Sequence, residues 1–246
     1  MRVQRHWAAP ASGAGGLDEE DEMSELWVLS VFLGLDGGGG NALGVFLDGA
    51  AVPQDARQDV AAALGFSETV FVIDRDRARL QIFTPASELA LAGHPLVGTA
   101  YLLGEQNTPV DVLRPPAGEV ATWREGEHTF IRADPSDAPP FSLCELSDPA
   151  AVEAATPPGD DAMVEVWAWI DEAAGIVRAR VFPGDLGIVE DEATGSAALL
   201  LCAGLGRPID IRQGRNSRIL ARPATNKGLV EVGGAVRLLE RRAFTH

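Results

Sequence analysis

Phe83-Thr84-Pro85-Ala86-Ser87-Glu88-Leu89-Ala90-Leu91-Ala92-Gly93-His94-Pro95-Leu96-Val97-Gly98-Thr99-Ala100 is the stretch on which the reading of this chain turns. Ala78 to Phe83 ahead of it has the pattern of a strand. Pro95 to Leu103 has that of a helix, with proline where a first helical turn tolerates it. Between the two lies a turn carrying Gly93 and His94. A helix that starts here leaves backbone N–H groups unpaired and presents the positive end of its dipole. Together these make an anion site with His94 at its mouth.

The pattern recurs. Ile176 to Phe182 is strand-like, Glu190-Asp191-Glu192-Ala193-Thr194-Gly195-Ser196 follows, and Ala197 to Leu205 is a small, apolar helix pattern. Gly93-His94 and Gly195-Ser196 hold matching places, so the chain reads as a pseudo-repeat. Two helix N-termini facing each other across a cleft would clamp one small carboxylate.

Composition narrows the field. The 246 residues are 46% hydrophobic and 23% charged, enough for one large or two small domains with a sizeable core. A formal net charge of −16 repels phosphate backbones and anionic lipid, so neither a nucleic acid nor a membrane is expected as a partner. Lys227 is the one lysine and lies in a loop-like stretch, which disfavours Schiff-base chemistry. Cys144 and Cys202 show no metal-ligand spacing, and the apolar runs are too short for a signal peptide or membrane span. A reduced, cytoplasmic protein fits.

Residues 1–23, small and polar with an acidic run at 18–21, are expected to form a disordered extension. Strands follow at Leu26 to Leu33 and Leu43 to Leu47, around the flexible turn Gly37-Gly38-Gly39-Gly40-Asn41. That glycine run lacks the Lys-Ser/Thr of a phosphate loop. Pro53 to Leu64 reads as an amphipathic helix, and Phe66-Ser67-Glu68-Thr69 leads into a strand at Val70 to Ile73. On position alone Glu68 is either a base at the mouth of a strand or a solvated turn residue. Strands are expected at Val110 to Leu113, Glu119 to Trp123 and Thr129 to Arg132. A connection with one short helix then runs from Asp134 to Asp161, and a hairpin spans Val164 to Phe182. Short strands end the chain at Ile209 to Ile211, Ser217 to Ala221, Leu229 to Val232 and Ala235 to Leu239, before a charged tail. This is an α+β pattern with one helix packed into each sheet. The halves are 24–123 and 124–246, with a return of the last strand to the first half left open, and the site lies in the cleft between them.

Several motifs resemble those of the phenazine-biosynthesis PhzF-like isomerase family. They are Gly40-Asn41-Ala42, Ser67-Glu68-Thr69-Val70-Phe71-Val72, Ile82-Phe83-Thr84-Pro85, Ala92-Gly93-His94-Pro95, Glu190 to Ala198, and Gln213-Gly214 with Ser217. They run in the family's order from about Leu26 to Leu239. The resemblance implies a diaminopimelate-epimerase-like fold of two pseudo-symmetric halves, each a strongly curved sheet around a central helix, usually paired as a homodimer. It implies no cofactor and no metal. It also implies an isomerase of the trans-2,3-dihydro-3-hydroxyanthranilate isomerase type, which moves a proton within a small carboxylate.

By the same resemblance the catalytic glutamate falls on Glu68. The other site residues fall on His94, Asp191 and Ser196, with Asn41, Gly93 and Gly195 contacting substrate. The chemistry is consistent: one carboxylate in a half-buried cleft can take a proton at one carbon and return it at another. His94 and Asp191 would hold the substrate's amine and hydroxyl, and Ser196 its carboxylate. The racemases and epimerases of this fold use two cysteines just before the paired glycines, where this chain has Ala92 and Thr194, which disfavours a two-thiol mechanism. The alternatives are a non-catalytic metabolite-binding relative and an epimerase without the cysteine pair.

Overall fold

The structure is a computed structural model that describes residues 23–159, 162–184 and 188–245. The expected disordered extension lies, apart from Met23, outside the described residues.

The first half is built on β1 (Met23–Val31), β2 (Asn41–Phe46), β3 (Glu68–Asp74) and β4 (Arg79–Phe83), with β5 (Glu88–Leu89) at its edge. β1 and β2 are antiparallel, β2 and β3 parallel, and β3 and β4 antiparallel. A parallel pair needs a crossover, and α1 (Arg57–Leu64) supplies it. α2 (Gly93–Glu105) has 10 of its 13 residues buried, as expected of a helix that is apolar all round. Gly98 lets it settle on the sheet: a Cβ there would lie 2.5 Å from Leu43 Cδ2 and 2.8 Å from Val31 Cγ2.

Three antiparallel strands, β6 (Val112–Leu113), β7 (Val120–Glu125) and β8 (His128–Ala133), lead into the second sheet. Its other elements are β9 (Ser142–Glu145), α3 (Pro149–Ala154), β10 (Met163–Asp171), β11 (Ile176–Pro183), α4 (Gly195–Leu205), β12 (Ile209–Gln213), β13 (Ser217–Pro223) and β14 (Val230–Thr245). Here β11 and β12 are parallel, and α4 is the crossover between them. The strands form a path β5-β4-β3-β2-β1-β14-β13-β12-β11-β10-β9, with β8, β7 and β6 branching from β14.

β14 is the join. Val230 to Ala235 pair with β8, and Val236 to Thr245 run antiparallel to β1. Two short strands and a charged tail are expected from the sequence, whereas one strand of 16 residues is found. The reason is steric. Gly233 and Gly234 are not turn residues: a Cβ at Gly233 would lie 2.4 Å from Phe130 Cδ1, and one at Gly234 2.7 Å from Phe32 Cδ1. In the tail, Arg241 pairs with Glu25 and lies over the Trp27 ring. β9 is likewise unexpected; it pairs parallel with β10 inside the segment read as a connection. α1 starts at Arg57 rather than Pro53, because Pro53 to Ala56 close a turn first.

The glycine run is a docking surface rather than a loose turn. Gly39 has φ +64°, and a Cβ on it would lie 2.2 Å from Asn216 O. Gly40 N–H donates to Ser217 Oγ at 3.0 Å, so the first half is fastened to the β12–β13 turn of the second. One core spans both halves, from Leu43 and Leu96 to Leu199 and Val232, each fully buried and each contributing about 1.5–3 kcal/mol.

Candidate active site

α2 and α4 meet head to head. A Cβ on Gly93 would lie 2.8 Å from Gly195 Cα, and one on Gly195 would lie 2.9 Å from Gly93 Cα. Only glycine admits backbones this close, which explains the residue type at both positions. No side chain caps either helix. The positive ends of two dipoles, with unspent N–H groups, are therefore brought into van der Waals contact.

A cavity of about 220 Å³ opens beside this contact. Ser67, Glu68, Asp191, Thr194 and Ser196 supply its polar wall, and Phe141 is among its apolar residues. Glu68 is the first residue of β3, held next to Leu43 by the parallel pairing. Its Oε2 lies 3.1 Å from Nε2 of His94, in the first turn of α2, but neither atom makes an aligned hydrogen bond. Burial pushes the Glu68 carboxyl well above the usual carboxylate range, and Asp191 adds to the rise, against a hydrogen bond from Ser67. Burial pushes His94 down to about 3. Burial thus works against the charged form of both groups, and the contact is not held as an ion pair.

Asp191 is anchored. Its Oδ1 accepts from Asn41 Nδ2 at 2.7 Å and its Oδ2 from Thr194 Oγ1 at 2.6 Å. Burial raises it to about 6, with the Thr194 and Asn41 hydrogen bonds opposing. Asn41 Oδ1 also accepts from Ser67 Oγ at 2.6 Å, so one amide ties the Glu68 loop to the Asp191 loop. Gln213 supports the other side. Its Nε2 donates to Asp191 O at 3.0 Å and Thr194 Oγ1 at 2.9 Å, and its Oε1 accepts from Thr194 N at 3.1 Å. Glu192 points away and accepts from Arg215 N, Asn216 N and Ser217 Oγ.

The residues expected from sequence fall into three places. Glu68, Asp191 and Ser196 line the cavity. Gly93 and Gly195 form the helix contact. His94 and Asn41, 3% and 5% exposed, stand behind Glu68 and Asp191, so the histidine is not at the mouth. Sequence reasoning assigns no role to Ser67, Thr194, Gln213 or Phe141. The first three lie inside the motifs that carry the resemblance, and that adjacency is the signal for them. Phe141 sits in a Pro/Asp/Ser-rich stretch with no such signal. Cys202 is buried in α4 with its thiol pushed up to about 12, and Cys144 lies exposed on β9, so neither stands on the cavity wall. Among the described residues no three His, Cys, Asp or Glu side chains gather as metal ligands, and no helix is long and apolar enough to cross a membrane.

Two curved halves, each around a buried helix, with a cavity where the helices meet, define the α+β, diaminopimelate-epimerase-like class. Solved structures share the fold. The PhzF-family phenazine biosynthesis protein of Bacillus anthracis superposes with a TM-score of 0.75 over 92% of this chain and 100% of its own, at 18% identity. A hydroxyproline epimerase from Agrobacterium vitis gives 0.59 at 14% identity, over 91% of this chain and 92% of its own. The chain belongs to the phenazine biosynthesis-like PhzC-PhzF family, whose model matches residues 34–165. The trans-2,3-dihydro-3-hydroxyanthranilate isomerase of Pseudomonas aeruginosa is 31% identical over 225 residues, 74% of this chain and 80% of that one. A predicted epimerase of known structure from the same species is 28% identical, with a TM-score of 0.72 over 90% of this chain and 99% of its own. The protein is an isomerase of this family.

Proposed function

We propose that the chain moves a proton within a small cyclic or amino-acid-like carboxylate, without a cofactor, using Glu68 as the shuttle. The observation that carries this reading is an asymmetry between two acids on one cavity wall. Both oxygens of Asp191 are tied to Asn41 and Thr194, whereas Glu68 Oε2 has no hydrogen-bond partner among the described residues. Asp191 is held for binding and Glu68 is left to move a proton.

The substrate carboxylate would lie against the N-termini of α2 and α4 and the Ser196 hydroxyl. Ionised Glu68 would take a proton from an adjacent carbon, and the freed electron pair would spread toward that carboxylate, where the N–H groups stabilise it. Protonated Glu68 would then deliver the same proton to a second carbon of the allylic system, regenerating the carboxylate. Its raised pKa serves both steps, making the anion a stronger base and keeping the acid form available. Asp191 would accept hydrogen bonds from an amine or hydroxyl. Neutral His94 would keep the surroundings of Glu68 free of compensating positive charge. The P. aeruginosa relative supports a dihydro-hydroxyanthranilate-like ring as the first compound to try.

Epimerisation by Glu68 and Asp191 as two bases is the second reading, favoured by Asp191 facing the same cavity. Incubation with cyclic amino and hydroxy acids in deuterium oxide, followed by NMR, separates the readings. The shuttle gives a shifted double bond with deuterium at no more than the receiving carbon. Epimerisation gives inversion with deuterium at one unshifted centre. Binding without either would leave a non-catalytic relative and overturn the proposal. We further propose that the chain works as a cytoplasmic homodimer and that it binds no nucleic acid, the last supported by its acidic charge.

A further inference from the structure

A second cavity, about 350 Å³, lies on the outer side of the first half between α1, β4 and the segment after β6. Arg57, Arg79 and Arg114 line it, with Gln54, Gln81 and Pro115. Such a gathering is unusual in a chain of net charge −16. Thirteen arginines among the described residues pair with carboxylates, and the exceptions are Arg57, Arg79, Arg207 and Arg237. Two of these four face this one cavity.

Arg57 is the more telling. Its residue is 7% exposed. Its Nε donates to Val52 O at 3.0 Å and its Nη1 donates to Gln81 Oε1, while its guanidinium lies 5.9 Å from the Phe71 ring centre. Nη2 has no protein partner among the described residues. The nearby Glu88 carboxylate is engaged by Gln81 Nε2 at 2.9 Å and lies beyond ion-pair distance of Arg57. Burying a guanidinium without a counter-ion is costly, and a bound anion would remove that cost. Arg79 stands exposed at the rim, and Arg114 is fixed by Glu119 and by Arg77 O. The planar fork of arginine suits a two-oxygen acceptor.

We propose that this cavity is a second binding site, distinct from the catalytic one, for a small oxyanion-bearing metabolite, a phosphate or a carboxylate, held between Arg57 and Arg79. The two sites share an element: Gln58, next to Arg57 on α1, donates to Thr84 O and Pro85 O, and Thr84 lines the catalytic cavity.

The test uses the full chain and titrates inorganic phosphate, citrate and acetate separately by calorimetry, with sodium chloride holding ionic strength constant. Because Arg57 also ties Val52 to Gln81, the exposed Arg79→Gln variant carries the comparison, with Arg114→Gln as its companion. Saturable binding of phosphate or citrate, weakened about tenfold or more in Arg79→Gln, is expected. Stronger binding of phosphate would mark a phosphorylated ligand, and stronger binding of citrate a carboxylate. Heats no greater than those of chloride, or affinity unchanged in both variants, would overturn the proposal.

Discussion

Glu68→Gln is expected to lose turnover by about 10²- to 10⁴-fold, the range a positioned acid–base group supplies, while the affinity for a carboxylate ligand stays within a few-fold. The substitution keeps the shape of the side chain and removes its ability to carry a proton. Ligand binding should survive because the carboxylate is held at the α2–α4 contact and Ser196, which the variant leaves alone. The pH profile adds a second reading. Glu68 must be ionised to act as a base and its pKa is raised by burial, so wild-type kcat/KM should fall as pH drops through that raised value. The variant should lose this limb. Stopped-flow or coupled assays on the isomerised substrate measure both, and a variant within tenfold of wild type would remove Glu68 from the chemistry.

The second large effect concerns stability. Glu165 on β10 is completely buried, neither carboxyl oxygen has a hydrogen-bond partner among the described residues, and burial pushes its pKa up to about 8. It stands opposite Val181 of β11 and Leu143 of β9. Between its unfolded value near 4.5 and about 8, the folded chain holds a proton that the unfolded chain has released. Stability therefore falls as pH rises through this window and levels off above it. At pH 7 the cost is about 3 kcal/mol. Glu165→Met, similar in volume and without charge, should be more stable than wild type by an amount that grows from pH 5 to pH 8. Urea denaturation at fixed pH values measures it, and a constant difference across that range would contradict the assignment. His94 acts in the opposite direction. Its folded value of about 3 lies below the unfolded 6.5, so its contribution is lost as pH falls through that interval.

Much of the candidate site is legible in the sequence because its parts obey local rules. A glycine and a polar residue ahead of an apolar run mark an uncapped helix start, and the device at Gly93-His94 and Gly195-Ser196 is written twice. Glu68 was different: position alone left it ambiguous, and only the resemblance singled it out. Its raised pKa depends on burial against His94 and Asp191, contacts made across long stretches of chain. Asn41 and Gln213 fix the two loops through side-chain amides, which have no periodicity to read. β14 departs from its expected form for a related reason: Gly233 and Gly234 look like a turn in sequence, yet they are small because Phe130 and Phe32 press on them. β9 is a short exposed edge strand with no alternation of burial, so the sequence carries little trace of it. The lone buried Glu165 has no sequence signature at all, since its alternating neighbours Met163 and Trp167 suit a strand with either face buried.

The most direct measurement is a crystal structure with anthranilate, a flat analogue that cannot isomerise. The ligand carboxylate should lie on the N–H groups at the Gly93–Gly195 contact beside Ser196, with a Glu68 oxygen within about 3.5 Å of a ring carbon. A carboxylate bound elsewhere in an accessible cavity, or Glu68 turned away from the ring, would contradict the account.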